Sequence, residues 1–537
     1  MKNTVRKFLS LALAMIMVLG LAACGGDKST SGTTSGTTSG TTSSTTTNQN
    51  GTTINPGVKE EVKEDDVVKK ELIIGDPYYI ATLDPSASSA LTHLMVQNLV
   101  GDTLTAWDPI TNELVGELAE SWEWVGDTTM RLHIRQGVKF HNGQDLKAND
   151  VAFSIDHVKQ SVCAICYVWI DSTTIVDDYT IDLNLNDPAQ DLIQEFAVSC
   201  FRILDEETCW DDPDEGVAVG TGPFILDSYE YGNFTKLVRF DDYWGEKPAT
   251  EVITFKCMPE ASSRLIALQN GEVDVCISPA ASELINVESD PNLKLYSTTG
   301  ITLRYLALNL ENPKFADERV RQAVAHAIDK ASIVAIAAEG HGTPAETIIP
   351  DSVFGSDPSA NPYEYNPEKA KALLEEAGAV GTSINILAYG DLQSLQGQVI
   401  QGALNAVGFN CTVERVESLV MWERIGASDY DAILYNWAGG MMGPDNTMRP
   451  LFHSAGGANA CRMYDEVFDE MLREAMCEGD TTKRAEKYTE IQKYLLGKAG
   501  PIPLYWDDVF VATSNDVHNF IINNGAFHEF AYVYVTE

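Results

Sequence analysis

The chain has 537 residues, 44% of them hydrophobic, with 78 acidic side chains against 37 basic ones and a formal net charge of −41. That length exceeds what one core serves and predicts two or three lobes. The acidity excludes nucleic acid as a partner, because phosphate binding needs a basic face; it speaks for solubility and names no ligand.

Lys2, Arg6 and Lys7 form a positive segment, Phe8 to Leu19 an apolar one, and Gly20-Leu21-Ala22-Ala23-Cys24 a small-residue cleavage site ending in cysteine. These are the parts of an export signal. The apolar run is shorter than the ~20 residues a membrane-spanning helix needs. Leu21-Ala22-Ala23-Cys24 resembles the lipobox of bacterial lipoproteins, whose cysteine is acylated and becomes the new N-terminus; a plain secretory signal is the alternative. The expectation is a signal peptide over 1–23, lipid attachment at Cys24, and a protein lipid-anchored to the membrane at the extracytoplasmic face of the cell envelope. Residues 24–70 then form a linker. Most of 25–57 is Thr, Ser, Gly and Asn, too polar to bury a core, and Glu60 to Lys70 is a solvated charge run. A coil of about 45 residues reaches roughly 35–40 Å, enough to hold a folded body clear of the headgroups.

From Glu71 onward the composition is that of a folded protein. Glu71 to Gly75 reads as a strand, with a turn at Leu83-Asp84-Pro85. Met130 to Arg135 alternates as a strand. Asn149 and Asp150 place acceptors in the first turn of a helix carrying Val151, Ile155 and Val158 on one face. Asp317 caps a helix with an apolar stripe at Val320, Val324 and Ile328. Asn366-Pro367, Leu373, Leu374 and Gly378 supply cap, first-turn proline, apolar face and stop of another. Irregular alternation of strands and helices without a repeat indicates mixed α/β lobes.

Ten cysteines, less Cys24, leave an odd number. Export permits disulfides, but at least one thiol stays free unless it pairs between chains. Cys163-Ala-Ile-Cys166 has redox or metal spacing, yet no second such pair or histidine pair completes a zinc site. A disulfide or plain buried thiols are expected there, and neither a metal nor a cofactor.

Leu118-Ala-Glu-Ser-Trp122, Arg135-Gln-Gly-Val-Lys-Phe-His-Asn-Gly143 and Asn149-Asp-Val-Ala-Phe-Ser154 are followed by Gly220-Thr-Gly-Pro-Phe224 and Phe240-Asp-Asp-Tyr-Trp-Gly245. Further on stand Arg264-Leu-Ile-Ala-Leu-Gln-Asn-Gly-Glu-Val-Asp274, Tyr305-Leu-Ala-Leu-Asn309, Arg319-Val-Arg-Gln-Ala-Val-Ala-His-Ala-Ile-Asp329 and Tyr430-Asp-Ala-Ile-Leu-Tyr-Asn-Trp437. In that order they resemble the family 5 solute-binding proteins of ABC importers, which bind oligopeptides, dipeptides or nickel. Within these blocks, Phe140-His141-Asn142-Gly143 reads as a turn, not as an acid-base or metal histidine, and Arg319 and Arg321 read as solvated charges on a polar helix face.

The resemblance implies an α/β, two-lobed periplasmic-binding-protein-like fold of class II, cluster C type, with an extra subdomain. Lobe I would comprise 71–110, 219–300 and 501–537, the extra subdomain 111–218, and lobe II 301–500, with hinges near Ile301 and Pro501. It also implies ligand contacts in three loops: Tyr78, Tyr79 and Ile80; Cys276, Ile277 and Ser278; and Asn436, Trp437, Gly440 and Met441. Where the family places an acidic residue three positions after the tryptophan, to meet the α-amine of a peptide, this chain has Gly440.

The expected function is that of an extracytoplasmic binding component. It would capture a peptide or similar extended polar solute and deliver it to an ABC permease and its ATPase, acting as a monomer. An oligosaccharide, opine or nickel-complex binder, or a ligand sensor, is the alternative on the same fold. No GxxxxGK[ST], GxSxG or HExxH motif occurs, so neither a nucleotide loop nor a catalytic constellation points to an enzyme.

Overall fold

The computed structural model describes residues 46–47, 53–54, 62–63, 66–80, 82–87, 90–108, 111, 113–160, 164–211, 216–439 and 443–537. The leader, Cys24, most of the linker, Cys163, Gly440 and Met441 lie outside them. The strands used below are β1 (Glu71–Asp76), β2 (Ala119–Trp124), β3 (Thr129–Ile134), β4 (Ile170–Asp177), β5 (Thr180–Leu185), β6 (Phe224–Glu230), β7 (Phe234–Arg239) and β8 (Val252–Cys257). They continue with β9 (Val275–Ile277), β10 (Leu293–Leu308), β11 (Gly342–Pro344), β12 (Ser383–Ala388), β13 (Asn410–Arg415), β14 (Ala432–Ala438) and β15 (Pro501–Ser514). The helices used below are α1 (Leu91–Val100), α2 (Ala148–Val158), α3 (Ala261–Gln269), α4 (Glu318–Ala327), α5 (Pro367–Glu376), α6 (Asp391–Val407), α7 (Pro444–Phe452), α8 (Glu466–Met476) and α9 (Thr481–Gly497).

One mixed sheet organises the chain, in the order β6-β7-β8-β1-β9-β15-β10-β14-β12-β13, with β11 also pairing to β15. β1 runs parallel to β8 and β9, and β12 parallel to β13 and β14. β10 and β15 are unusually long, 16 and 14 residues, and pair antiparallel through both halves of the sheet. Leu293 to Thr299 lies opposite Ser514 to Asp508 beside β9, while Leu303 to Ala307 lies opposite Trp506 to Pro501 beside β14. The register shifts between Thr299 and Leu303, at the crossing from one half to the other.

Each half is covered on both faces. In the β1 half, Leu72, Ile74, Val275 and Val511 pack under α1 and the C-terminal Phe520 and Phe530, while Cys276, Leu295 and Ala512 pack under Leu265 and Leu268 of α3. In the β14 half, Leu306, Leu434 and Leu504 meet Val320 and Val324 of α4 with Ile400 and Leu404 of α6. The reverse face, Leu303, Tyr305 and Ile433, meets Leu451 of α7, Leu472 of α8 and Leu495 of α9. A fully buried Leu or Ile side chain contributes ~1.5–3 kcal/mol, which is why such strands are apolar on both faces. A separate antiparallel sheet, β2-β3-β5-β4, buries Met130, Leu132 and Ile134 against Val151, Ile155 and Val158 of α2, as the alternation and the helix stripe predict.

Asp317 caps α4 by accepting from the Arg319 N–H at 2.9 Å, and Asn366 caps α5 through the Lys369 N–H at 2.9 Å. The predicted stripe of α4 stops short of Ile328, which is extended, because Asp329 caps a new helix by accepting from the Ala331 N–H. Arg321 is also not a free surface charge: its Nε donates to the Lys498 carbonyl (2.7 Å) and its Nη1 to Phe315 (2.6 Å), pinning two loops. His141 takes the structural role expected of its turn. Its Nδ1 accepts from the Gly220 N–H (3.3 Å), so Nε2 carries the proton and donates to the Gly222 carbonyl (3.0 Å). Burial lowers its pKa to about 4, leaving it neutral. Cys209, Cys257, Cys276, Cys411, Cys461 and Cys477 carry free thiols, their pKa values raised by burial.

Candidate functional site

Three chain segments leave the central sheet where its two halves meet. β1 ends at Asp76, whose Oδ1 accepts from the Tyr78 N–H (2.9 Å) and the Thr92 hydroxyl (2.8 Å), so that a buried carboxylate shapes the loop carrying Tyr78, Tyr79 and Ile80. Burial raises the Asp76 pKa to about 6, against the pull of those two hydrogen bonds and of Arg264. β9 ends beside it, Cys276 lying in register with Gly75. Buried Arg264 donates to the carbonyls of Ile277 (3.0 Å), Ser278 (2.7 Å) and Pro259 (2.8 Å), and one guanidinium thereby fixes the loops after β8 and β9.

The residues expected at the ligand divide by where their side chains go. The Tyr78 hydroxyl has its pKa raised by burial and by Asp76, opposed by the fields of Arg264 on its own side and of Arg304 on β10. Tyr79 turns outward and its hydroxyl meets that of Tyr231 at 2.7 Å. Ile80 lies in the core under β1. The Cys276 thiol is packed with Leu265 and Ala512, and burial pushes its pKa up to about 11. Ile277 also faces a core, while Ser278 is exposed, with φ 50°.

Asn436 and Trp437 lie near the end of β14, opposite Arg304 and Leu303 of β10. Trp437 is half-buried against the α7 to α9 core, and its indole lies so close to Gly439 that a Cβ there would overlap Nε1; glycine at 439 is what lets the ring fold back. Gly440 and Met441 lie outside the described residues, and the chain resumes at Gly443 to start α7. α7 packs toward the smaller sheet's domain: Asn446 Nδ2 donates to Glu195 (3.2 Å), and the Arg449 guanidinium, held by Asp445 at 2.6 and 2.8 Å, lies over the Trp169 ring.

At the crossing itself stands a pair that the sequence reading missed. Arg304 Nε lies 3.0 and 2.9 Å from the two carboxylate oxygens of Asp507 on β15, and its Nη2 lies 2.7 Å from Oδ2. Arg304 is 4% exposed. Tyr505 is register partner to Arg304, and its hydroxyl accepts from Gln396 of α6 at 2.6 Å. Tyr389, after β12, is half-buried, and its hydroxyl feels the same guanidinium. A signal for Arg304 did exist: it is the only charge in Ile301 to Leu308, an otherwise apolar strand. Tyr78, Arg304, Asn436 and Tyr389 thus form a neighbourhood of aromatic rings and hydrogen-bonding groups, suited to a polar organic molecule. Among the described residues no group of three or more His, Cys, Asp and Glu side chains could hold a metal ion, and no helix is long and apolar enough to cross a membrane.

Residues 113–459 match the model of the bacterial extracellular solute-binding proteins, family 5 middle region. The dipeptide-binding protein of Escherichia coli K12 is 28% identical over 459 residues, covering 78% of this chain and 86% of that one. The structure of HbpA2 from Haemophilus parasuis superposes with a TM-score of 0.77 at 28% identity, over 87% of this chain and all of that one. NikA from Brucella suis, in complex with Fe(III)-EDTA, superposes at 0.78 with 24% identity, over 87% of this chain and all of that one, a likeness of fold.

Proposed function

The chain belongs to family 5 of the bacterial extracellular solute-binding proteins, the binding components of ABC importers and not enzymes, and from that premise we propose that it captures a peptide, or a similar extended polar solute, in a cleft between two lobes and hands it to a membrane permease. The observation that carries this reading is the pair of long strands, β10 and β15, shared by both halves of the sheet and broken in register between Thr299 and Leu303. Two covalent crossings with a local irregularity are what a hinge needs: a few residues absorb the backbone change while each half moves as a packed body. In this reading lobe I is 71–110, 219–300 and 501–537, the extra subdomain is 111–218 and lobe II is 301–500. On the same reading Tyr78 and Trp437 offer ring faces and Asn436 a carboxamide, while the Ile277 and Ser278 carbonyls, already held by Arg264, shape the wall; the family likeness assigns Gly440 and Met441 to the same set of contacts.

The ligand's amine tests the loop after Trp437. A buried ammonium needs a charged or strongly hydrogen-bonded partner, and Gly440 has no side chain to supply one. Matched free and N-acetylated forms of a bound peptide should therefore differ in affinity by less than tenfold, about 1.4 kcal/mol, in titration calorimetry. In a cleft built on a buried ion pair the loss is ~3–5 kcal/mol, and a several-hundredfold loss on acetylation would contradict this account.

The leader supports a protein lipid-anchored to the membrane at the extracytoplasmic face of the cell envelope, tethered through Cys24 and the 24–70 linker. Cys24→Ala should abolish fatty-acid labelling of the protein in cells; undiminished labelling would refute the anchor.

A further inference from the structure

Two buried hydrogen-bonding atoms on residues paired across β10 and β14 have no partner among the described residues. One is Nη1 of Arg304, a donor; the other is Oδ1 of Asn436, an acceptor. The two residues are direct register partners across β10 and β14, so both side chains leave the same face of the sheet, with Cβ atoms roughly 4.5–5.5 Å apart. Leaving either atom unpaired is costly, and they do not satisfy one another. The rest of the Arg304 guanidinium is committed to Asp507, which holds the donor in place. Tyr78 comes from the β1 loop and Tyr389 from the β12 end, and both lie within the field of Arg304.

We propose that the buried Arg304 Nη1 and Asn436 Oδ1 form a subsite for one amide group of the ligand, its carbonyl accepting from Arg304 and its N–H donating to Asn436. This rests on the reading of the chain as a binder of peptide-type solutes. The alternatives fit the charges less well. Asp507 already neutralises the guanidinium, so a ligand carboxylate would bring an uncompensated negative charge beside the Asn436 oxygen and near Asp507. A ligand ammonium would face the guanidinium itself. A neutral amide satisfies both atoms at once, and its donor and acceptor lie a few ångströms apart in one plane. Arg304 and Asp507 stand on the two strands that cross between the halves, so the same contact also places the ligand against the hinge.

The test uses the full chain, purified in detergent and incubated with an enzymatic digest of casein, with the retained peptides counted by mass spectrometry after washing. Wild type should retain peptides. Asn436→Leu should cut retention at least tenfold while leaving the unfolding midpoint unchanged, and the paired variant Arg304→Met with Asp507→Leu, which removes the donor without leaving a buried charge, should cut it as far while keeping most of the wild-type stability. Retained peptides enriched in Asn and Gln would assign the subsite to a side-chain carboxamide; a set without that enrichment would assign it to the peptide backbone. Wild-type retention by both variants would overturn the subsite while leaving the peptide reading intact. Retention of no peptide by wild type would overturn the functional reading and the subsite with it.

Discussion

Asp507→Ala is expected to destabilise the protein by about 3 kcal/mol in urea unfolding. Removing one partner of a buried ion pair leaves the other charge uncompensated, at ~3–5 kcal/mol. The lower end applies because the Asp507 side chain is 26% exposed and water reaches it, while that of Arg304 is 5% exposed. The cost is one of an orphaned charge and not of a lost attraction, so the paired variant Arg304→Met with Asp507→Leu should recover most of it, apolar replacements of buried pairs being often neutral. A loss below ~1 kcal/mol for Asp507→Ala would mean that Arg304 finds water or another acceptor, and that the pair does not hold the crossing.

Gly220→Ala is expected to cost about 3 kcal/mol or more, and to do so by pure overpacking. A Cβ at 220 would overlap the Val100 carbonyl oxygen and stand 2.8 Å from its carbon and 2.6 Å from Arg202 Nη1. The end of α1 cannot retreat easily, since the Gly222 N–H donates to the same Val100 carbonyl at 3.0 Å. Buried Arg202 is equally fixed by donating to the Val219 carbonyl (2.9 Å) and to that of Val217. Overpacking a core typically costs ~1–3 kcal/mol, and more where backbone must shift. His141 closes the cluster from the other side through the Gly220 N–H and the Gly222 carbonyl, so the substitution should also loosen the smaller sheet's attachment. Equal stability of Gly220→Ala and wild type in urea would show that this junction is slack.

Local signals in the chain were legible where they rest on nearby residues. The caps at Asp317 and Asn366 need a partner two or three positions away, and the alternation of Met130, Leu132 and Ile134 needs one flat neighbour. Ile328 continues the stripe in sequence but not in the helix, because the cap of the next helix, at Asp329, competes with it. Arg321 looked solvated because its acceptors include a carbonyl 177 residues away. The loops of the candidate site could be located by likeness to the family, but not the directions of their side chains: Cys276 lies in its strand position with its thiol in the core, and Ile80 likewise. Arg304 and Asp507 are 203 residues apart, and only the antiparallel pairing of β10 with β15 brings them together. Strand order and register are tertiary facts, decided by the packing of both faces at once.

The central claim is that the halves joined by β10 and β15 close over a bound peptide-type solute. Small-angle X-ray scattering of the full chain in detergent, freed of cargo and then saturated with a peptide it retains from the casein digest, tests it most directly. The account predicts a smaller radius of gyration in the saturated protein, reversed when the peptide is removed. A peptide bound stoichiometrically with no change in the scattering profile would contradict it.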